Sequence, residues 1–245
     1  MKSLKLFISA IAIAFPLIVS AQPVKLTTMN WSPFYAESLN NGGFITAIVE
    51  EALSEAGYES TVEFTGWQAA LDSVKSGNKD ALIGAYYTEE RTEDYYYSIP
   101  IYTVLVGLIK SSDFPLTNYT SFEAINDYKI GKIEGTSVGT SFDAFGFAQL
   151  NEFDSVSNAV TALTKGEIDL YADNLAVAKD AAQSAGLDAS QLQILLPPLE
   201  KNDLYLLISK SIPNAEKLRE AFNNGLFALH QSGRFNEILA EYNQL

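Results

Sequence analysis

The chain has 245 residues, of which 30 are Asp or Glu and 16 are Lys or Arg, and its formal net charge is −14 at pH 7. Such an acidic surface disfavours binding to nucleic acid or to anionic lipid. The sequence has no cysteine and one histidine, His230, so disulfides, Cys–His metal sites and Ser–His or Cys–His catalytic pairs are not expected.

Residues 1–21 have the pattern of a secretory signal peptide. Lys2 and Lys5 give a basic start, the run 6–19 is mostly apolar but short for a membrane span, and small residues precede a cleavage site at Ala21. Cleavage near Ala21 predicts export to the periplasm. It removes two positive charges and no negative ones, so the formal charge falls from −14 to −16.

From residue 24 onward, hydrophobic periodicity alternates between strand and helix patterns. The expected strands are 24–29, 60–64, 81–83, 102–110, 129–133, 168–172 and 204–208, and the expected helices are 43–56, 68–76, 121–125, 140–150, 157–164, 215–230 and 234–242. Repeated β–α–β units imply a mostly parallel sheet. The order of strand, loop, helix and strand in the first half recurs in the second half. The pattern therefore suggests two α/β lobes.

The most informative segment of the chain leads to a single arginine. The short apolar strand 81–83 ends at Gly84, and a polar, aromatic loop continues from there to Arg91. Open α/β sheets bind small ligands at strand ends of this kind, and a guanidinium fits a carboxylate with two parallel hydrogen bonds. The segment therefore predicts a carboxylate site at Arg91; the alternative is a solvated residue at a helix start.

Several short motifs follow one another in register along the chain. They are Trp31-Ser-Pro-Phe34, Gly43-Phe44, the pair Gly77 and Asp80, Glu90-Arg91 with Ser98-Ile-Pro100, Lys129–Ile133, Gly135-Thr136-Ser137, Leu163–Gly166 with Asp169, and the closing segment 222–242 around Gly233. Together they resemble the family 3 periplasmic solute-binding proteins, whose best-known members carry amino acids to ABC importers. The resemblance extends over nearly all of the chain after the signal peptide.

The resemblance implies an α/β, two-lobed periplasmic binding protein fold of type II. In this fold each lobe is a mostly parallel sheet flanked by helices, and two strands form the hinge. Lobe 1 would comprise residues 23–103 and 204–245, and lobe 2 would comprise residues 104–203. The hinges are expected near Thr103–Val104 and near Asp203–Leu204.

The resemblance also implies a ligand site between the lobes. Arg91 would clamp a carboxylate together with the backbone N–H groups of Thr136 and Ser137, because a loop that leads into a helix presents such groups to anions. Asp173 would receive the α-ammonium group of the ligand, and Trp31 would stack on it. The other expected site residues are Trp67, Tyr86 and Thr88.

Some of these residues have a structural alternative. Trp31 and Trp67 would otherwise be core residues, Ser137 would cap the next helix, and Asp173 would cap a turn or a helix. Each alternative predicts that the side chain bonds within its own element or packs away from a cleft.

The expected cleft differs from that of a typical amino-acid carrier. Residues 84–87 occupy places where those carriers usually have a small hydroxyl residue, and Ile45 occupies a place that often holds an acid. Tyr86 and Tyr87 point to opposite sides of an extended chain, so only one is expected to face the cleft. The cleft should therefore be more aromatic and less hydroxylated.

Three functions agree with these expectations. The first is a monomeric periplasmic protein that delivers a small carboxylate-bearing ligand, an amino acid or a relative, to an inner-membrane ABC permease without cofactor, metal or catalytic residue. The second is a sensor subunit that presents its ligand-bound form to a membrane receptor. The third is a cyclohexadienyl dehydratase-like enzyme, in which Glu134 or Asp173 acts as general acid or base.

Overall fold

The computed structural model describes residues 23–244, so the expected signal peptide at residues 1–21 lies outside the described residues. The strands are β1 (Val24–Thr28), β2 (Ser60–Phe64), β3 (Ala81–Ala85), β4 (Tyr95–Tyr97), β5 (Tyr102–Ser111), β6 (Ile130–Ile133), β7 (Leu150–Phe153), β8 (Leu170–Asp173) and β9 (Leu192–Ser209). The helices are α1 (Phe44–Glu55), α2 (Trp67–Lys75), α3 (Thr140–Phe145), α4 (Val156–Thr164), α5 (Leu175–Ser184), α6 (Ala215–Ser232) and α7 (Arg234–Glu241). None of the helices between residues 23 and 244 is long and apolar enough to span a membrane.

The strands form a mixed sheet in the order β2-β1-β3-β9-β5-β8-β6-β7, and β4 also pairs with β9. The first strand group, β1 to β3, is parallel, and so is the second strand group, β6 to β8. The two long strands β5 and β9 lie between these groups and are antiparallel to each other and to their neighbours. The parallel ladders are thus confined to the two outer groups.

The ladder between β5 and β9 joins the two strand groups. It runs from the pair Tyr102 and Leu204 to the pair Ser111 and Leu192. Its register shifts opposite residues 196–199, which include Pro197 and Pro198. Because proline lacks a backbone N–H, a bulge is a position where a strand tolerates it. The expected strand 204–208 is therefore only the end of a longer strand.

Three differences concern the helices. The expected helix 121–125 is a 3-10 turn at Glu123–Ile125. The expected helix 140–150 ends at Phe145, because Gly146 adopts the left-handed conformation (φ 72°), and Leu150 then begins strand β7. Helix α5 was not predicted, although its start carries a clear signal. The Asn174 side chain accepts hydrogen bonds from the next helical N–H groups, and the alanine-rich sequence that follows favours a helix.

Helices α1 and α6 pack with their backbones in close contact. The buried face of α1 includes Phe44, Ile48 and Ala52. Gly225 of α6 lies directly against this face, and a Cβ atom at Gly225 would be 1.8 Å from the carbonyl oxygen of Ala52. The packing therefore depends on the missing side chain at this position.

The substitution Gly225→Ala should destabilise the protein, although alanine favours a helix over glycine by about 1 kcal/mol. Forcing a methyl group against a backbone carbonyl separates the helices, and overpacking of this kind costs about 1–3 kcal/mol. We expect a lower midpoint of urea unfolding. The control is Asn224→Ala on the exposed neighbouring position, which should change stability little. An equal or higher midpoint for Gly225→Ala would show that the two helices adjust freely.

Candidate functional site

A small cavity lies at the carboxyl ends of four strands, two from each parallel group. Strands β1, β3, β6 and β8 end at its walls, as expected for a ligand site in an open α/β sheet. Its lining residues are Met29, Trp31, Tyr35, Trp67, Gly84, Tyr86, Arg91, Val106, Ile133, Thr136, Ser137, Val138, Ala172 and Asp173. The cavity brings together residues from both strand groups, although they are far apart in the sequence.

Arg91 lies in a short 3-10 turn after β3 and is held by neutral groups. Its Nη1 donates to the carbonyl oxygen of Tyr86 (3.1 Å), and its Nη2 donates to that of Gly135 (3.0 Å). The guanidinium carbon is 5.5 Å from the centre of the Trp67 ring. Arg91 forms no ion pair with a described residue, and burial lowers the pKa of its guanidinium. Three of its five N–H groups bond to neither carbonyl.

The loop before helix α3 faces Arg91 from the second strand group. The Asp143 carboxylate accepts hydrogen bonds from the N–H groups of Val138 (3.1 Å) and Gly139 (3.4 Å), and from the Ser137 hydroxyl. The N–H of Ser137 donates no hydrogen bond within the described residues. Helix α3 is capped at Gly139 rather than at Ser137. Ser137 thus retains one backbone donor at the cavity.

The second expected backbone donor is engaged elsewhere. The N–H of Thr136 donates to the Ile133 carbonyl (3.2 Å), so the expected pair of N–H groups is reduced to that of Ser137.

Asp173, the last residue of β8, is a buried carboxylate at the same cavity. It accepts hydrogen bonds from the indole N–H of Trp31 (3.0 Å), the backbone N–H of Asn174 (2.6 Å) and the hydroxyl of Tyr171. Burial raises the pKa of Asp173 to about 6, and these hydrogen bonds act in the opposite direction. Asp173 forms no ion pair with a described residue. Asn174, not Asp173, caps helix α5.

Two aromatic side chains shape the space beside Asp173. Trp31 is buried, stacks on Phe34 with 4.6 Å between ring centres, and meets Tyr86 edge to face at 6.3 Å. Tyr86 lines the cavity, whereas Tyr87 is 57% exposed. The Tyr86 hydroxyl has no hydrogen bond with a described residue, and its pKa is raised by burial and by the charge of Asp173. A hydroxyl group therefore faces the cavity near a carboxylate.

Trp67 and Thr88 have different positions relative to the cavity. Trp67 is buried at the start of α2, and its indole N–H donates to the Gly135 carbonyl (3.0 Å), which also accepts from Arg91. Thr88 lies outside the cavity lining; its hydroxyl oxygen accepts from the backbone N–H of Arg91 (3.3 Å). Seven of the eight expected site residues thus line one cavity, and Thr88 supports the turn that carries Arg91.

Several cavity residues were not anticipated from the sequence. Tyr35 follows the Trp31–Phe34 loop, and its hydroxyl donates to the Gly84 carbonyl (3.3 Å). Because Tyr35 lies in an aromatic run, the sequence gave no separate signal for it.

Glu134, considered as a general acid or base, is exposed and lies outside the cavity lining. Between residues 23 and 244, no group of three or more metal-binding side chains occurs.

The sequence of the chain matches a known family over residues 25–244, which is most of its length. The matching family is the bacterial extracellular solute-binding proteins, family 3. The chain therefore belongs to this family. A search among curated proteins gave no match.

Solved structures share the fold at low sequence identity. A histidine kinase sensor domain with similarity to periplasmic binding proteins has a TM-score of 0.79 and 16% identity, and the alignment covers 90% of this chain and 96% of that one. The arginine-, lysine-, histidine-binding protein ArtJ of Geobacillus stearothermophilus has a TM-score of 0.76 and 21% identity, with coverages of 90% and 95%. The amino acid ABC transporter substrate-binding protein AbpA of Streptococcus pneumoniae, bound to L-arginine, has a TM-score of 0.75 and 21% identity, with coverages of 90% and 94%. The fold is that of the type II periplasmic binding proteins.

The buried carboxylate of Asp173 should make stability depend on pH. Since its pKa is raised to about 6 in the folded protein, ionisation of Asp173 destabilises the fold, and stability falls as the pH rises from about 4 to about 6. Asp173→Asn removes this loss. Relative to that of the parent protein, the free energy of unfolding of the variant should increase by up to about 3 kcal/mol across this pH range. Above this range the difference should stay constant.

Urea unfolding of the ligand-free protein at several pH values between 4 and 7 measures this difference. Asp127→Asn, at an exposed carboxylate that accepts no side-chain hydrogen bond within the described residues, is the matched control. A constant difference between Asp173→Asn and the parent protein at all pH values would contradict the raised pKa.

Proposed function

We propose that this protein captures a small zwitterionic ligand, an amino acid or a close relative, between two lobes and delivers it to an ABC importer. The observation that carries the proposal is the pair of opposite charges in one cavity. Arg91 and Asp173 both line it, and neither forms an ion pair with a described residue. Buried charges are costly without partners, so a ligand with both charges complements the site.

The carboxylate of the ligand would bind at the Arg91 end of the cavity. Arg91 retains N–H groups that bond to neither the Tyr86 nor the Gly135 carbonyl, and Ser137 retains its backbone N–H. Charge-assisted hydrogen bonds from a guanidinium are short, strong and specific for planar anions. The carboxylate would thus be held from both sides of the cavity.

The ammonium group would bind at the Asp173 end. A carboxylate offers about four acceptor positions, and three donors from the protein already occupy Asp173. One position therefore remains, and the Tyr86 hydroxyl near it provides a second acceptor. The donors from Trp31 and Tyr171 hold the carboxylate in place for this contact.

The two lobes would be residues 23–103 with 204–245, and residues 104–203. The ladder between β5 and β9 supports this division. In the sheet order, these two strands lie between the first and the second strand group and join them. Thr103 and Asp203 lie opposite each other in this ladder, and the Thr103 hydroxyl donates to the Asp203 carboxylate at 2.5 Å. A hinge at these residues would let the lobes separate, and a ligand that binds both lobes would favour the closed form.

We also propose that the site binds its ligand without converting it. Of the two residues considered as general acid or base, Glu134 lies outside the cavity lining. Asp173 lies inside it, but three donors already hold its carboxylate. A ligand recovered from the protein after prolonged incubation should therefore be unchanged by mass spectrometry; a product formed from prephenate or arogenate would favour the dehydratase alternative.

Arg91→Ala should abolish ligand binding and leave the fold intact. In a thermal-shift panel of the twenty standard amino acids, a ligand at 100 times its Kd stabilises the parent protein by about 2.7 kcal/mol, a rise of roughly 5–10 °C. The variant should show no rise with the same ligand. Arg219→Ala is the control, since Arg219 lies over the Tyr96 ring outside the cavity and its loss should leave the rise unchanged. A full rise with Arg91→Ala would refute the carboxylate clamp.

The partner of the closed form distinguishes transport from sensing. The sensor alternative is supported by the similarity of the fold to a histidine kinase sensor domain. For the transport function, deletion of the gene in the native host should abolish uptake of the radiolabelled amino acid found in the thermal-shift panel. Complementation with the parent gene should restore uptake, and the Arg91→Ala gene should not. Unchanged uptake in the deletion strain, with an altered transcriptional response to the ligand, would favour the sensor.

A further inference from the structure

The charges that line the cavity limit the charge of the ligand. Arg91 and Asp173 are the only charged side chains among the lining residues. In the proposed function they are matched by the carboxylate and the ammonium group of the ligand. A third charge on the ligand would enter a mostly apolar space without a counter-ion among the lining residues, which is strongly unfavourable.

The other polar side chains of the lining already use their protons within the protein. The indole N–H of Trp31 bonds to Asp173, the indole N–H of Trp67 to the Gly135 carbonyl, and the hydroxyls of Tyr35, Thr136 and Ser137 to the Gly84 carbonyl, the Ile133 carbonyl and the Asp143 carboxylate. The Tyr86 hydroxyl is the exception, and it lies near the Asp173 charge. A polar substituent on the ligand would therefore find few donors.

What remains of the lining is apolar, and the space is small. Met29, Val106, Ile133, Val138 and Ala172 complete the walls between the aromatic rings. The cavity has about 40 Å³ of space for the centre of a water-sized sphere. This is little space for a long side chain.

We infer that the ligand is an α-amino acid with a small, uncharged, apolar side chain, such as alanine or 2-aminobutyrate, and that amino acids with charged side chains are rejected. This inference rests on the proposed function and defines its substrate class. It also separates this protein from the relatives whose structures contain arginine. Charged side chains would be rejected because the cavity lining has no third charged residue to pair with them. Long side chains would be rejected because Trp67 and the other rings limit the space.

The test is a titration of the full-length mature protein with L-alanine, L-2-aminobutyrate, L-leucine, L-arginine, L-lysine, L-glutamate and propionate. Isothermal titration calorimetry gives each Kd. Tryptophan fluorescence gives a second readout, because the two tryptophans of the chain, Trp31 and Trp67, both line the cavity. We expect alanine or 2-aminobutyrate to bind at least about 100-fold more tightly than arginine, lysine or glutamate.

The panel separates the failure of this inference from that of the proposed function. Binding of arginine, lysine or glutamate as tight as that of alanine would overturn the inference and leave the proposed function in place. Binding of propionate alone, or of no amino acid, would overturn both, since the zwitterion itself would then be wrong.

A variant tests the size limit separately. Trp67→Ala enlarges the cavity, so the ratio of the Kd for leucine to the Kd for alanine should fall at least about tenfold relative to the parent protein. A ratio is used because loss of the Trp67 bond to Gly135 weakens closure for every ligand. Phe227→Ala, at a 59% exposed aromatic residue outside the cavity lining, is the control and should leave the ratio unchanged. An unchanged ratio in Trp67→Ala would overturn the size limit.

Discussion

The site depends on two opposite charges that share a cavity and form no ion pair with a described residue. Arg91 is held by two carbonyl groups, and Asp173 by one indole, one hydroxyl and one backbone N–H. Hydrogen bonds from neutral groups orient a charge but do not neutralise it, and burial shifts the pKa of each group towards its neutral form. The free energy that this costs is recovered when a ligand brings the matching charges. A zwitterion does so at both ends at once.

The same groups also link the two sides of the cavity directly. The Gly135 carbonyl accepts from both Arg91 and Trp67, and Asp173 accepts from Trp31. In the proposed function these are hydrogen bonds between the lobes. They would stabilise the closed form even when no ligand is bound. A ligand that fits would add its contacts to these bonds without replacing them, because Arg91 and Ser137 retain donors. Small ligands suit such a site, since a large one would have to break the bonds to enter.

The sequence predicted the order of most strands and helices, and seven of its eight expected site residues lie among the fourteen that line the cavity, because a known family supplied the register. Periodicity alone could not show that the prolines at 197 and 198 lie in a bulge of one long strand, since proline usually marks a break. It also could not place Thr88, whose hydroxyl turned out to support the Arg91 turn. The hydrogen bond from Trp31 to Asp173 joins residues that are 142 positions apart in the sequence. Such a bond depends on how two distant strand ends meet, which local patterns do not contain.

The cavity and the outer surface carry separate parts of the function. In the proposed function, the cavity would select the ligand through Arg91, Asp173 and the rings between them, whereas a permease or a receptor would contact the outside of the closed form. A histidine kinase sensor domain and an amino acid ABC transporter substrate-binding protein both share the fold of this chain, with 16% and 21% identity to it. In the function proposed for this chain, the cavity residues would determine the ligand, and residues elsewhere on the molecule would determine the membrane partner.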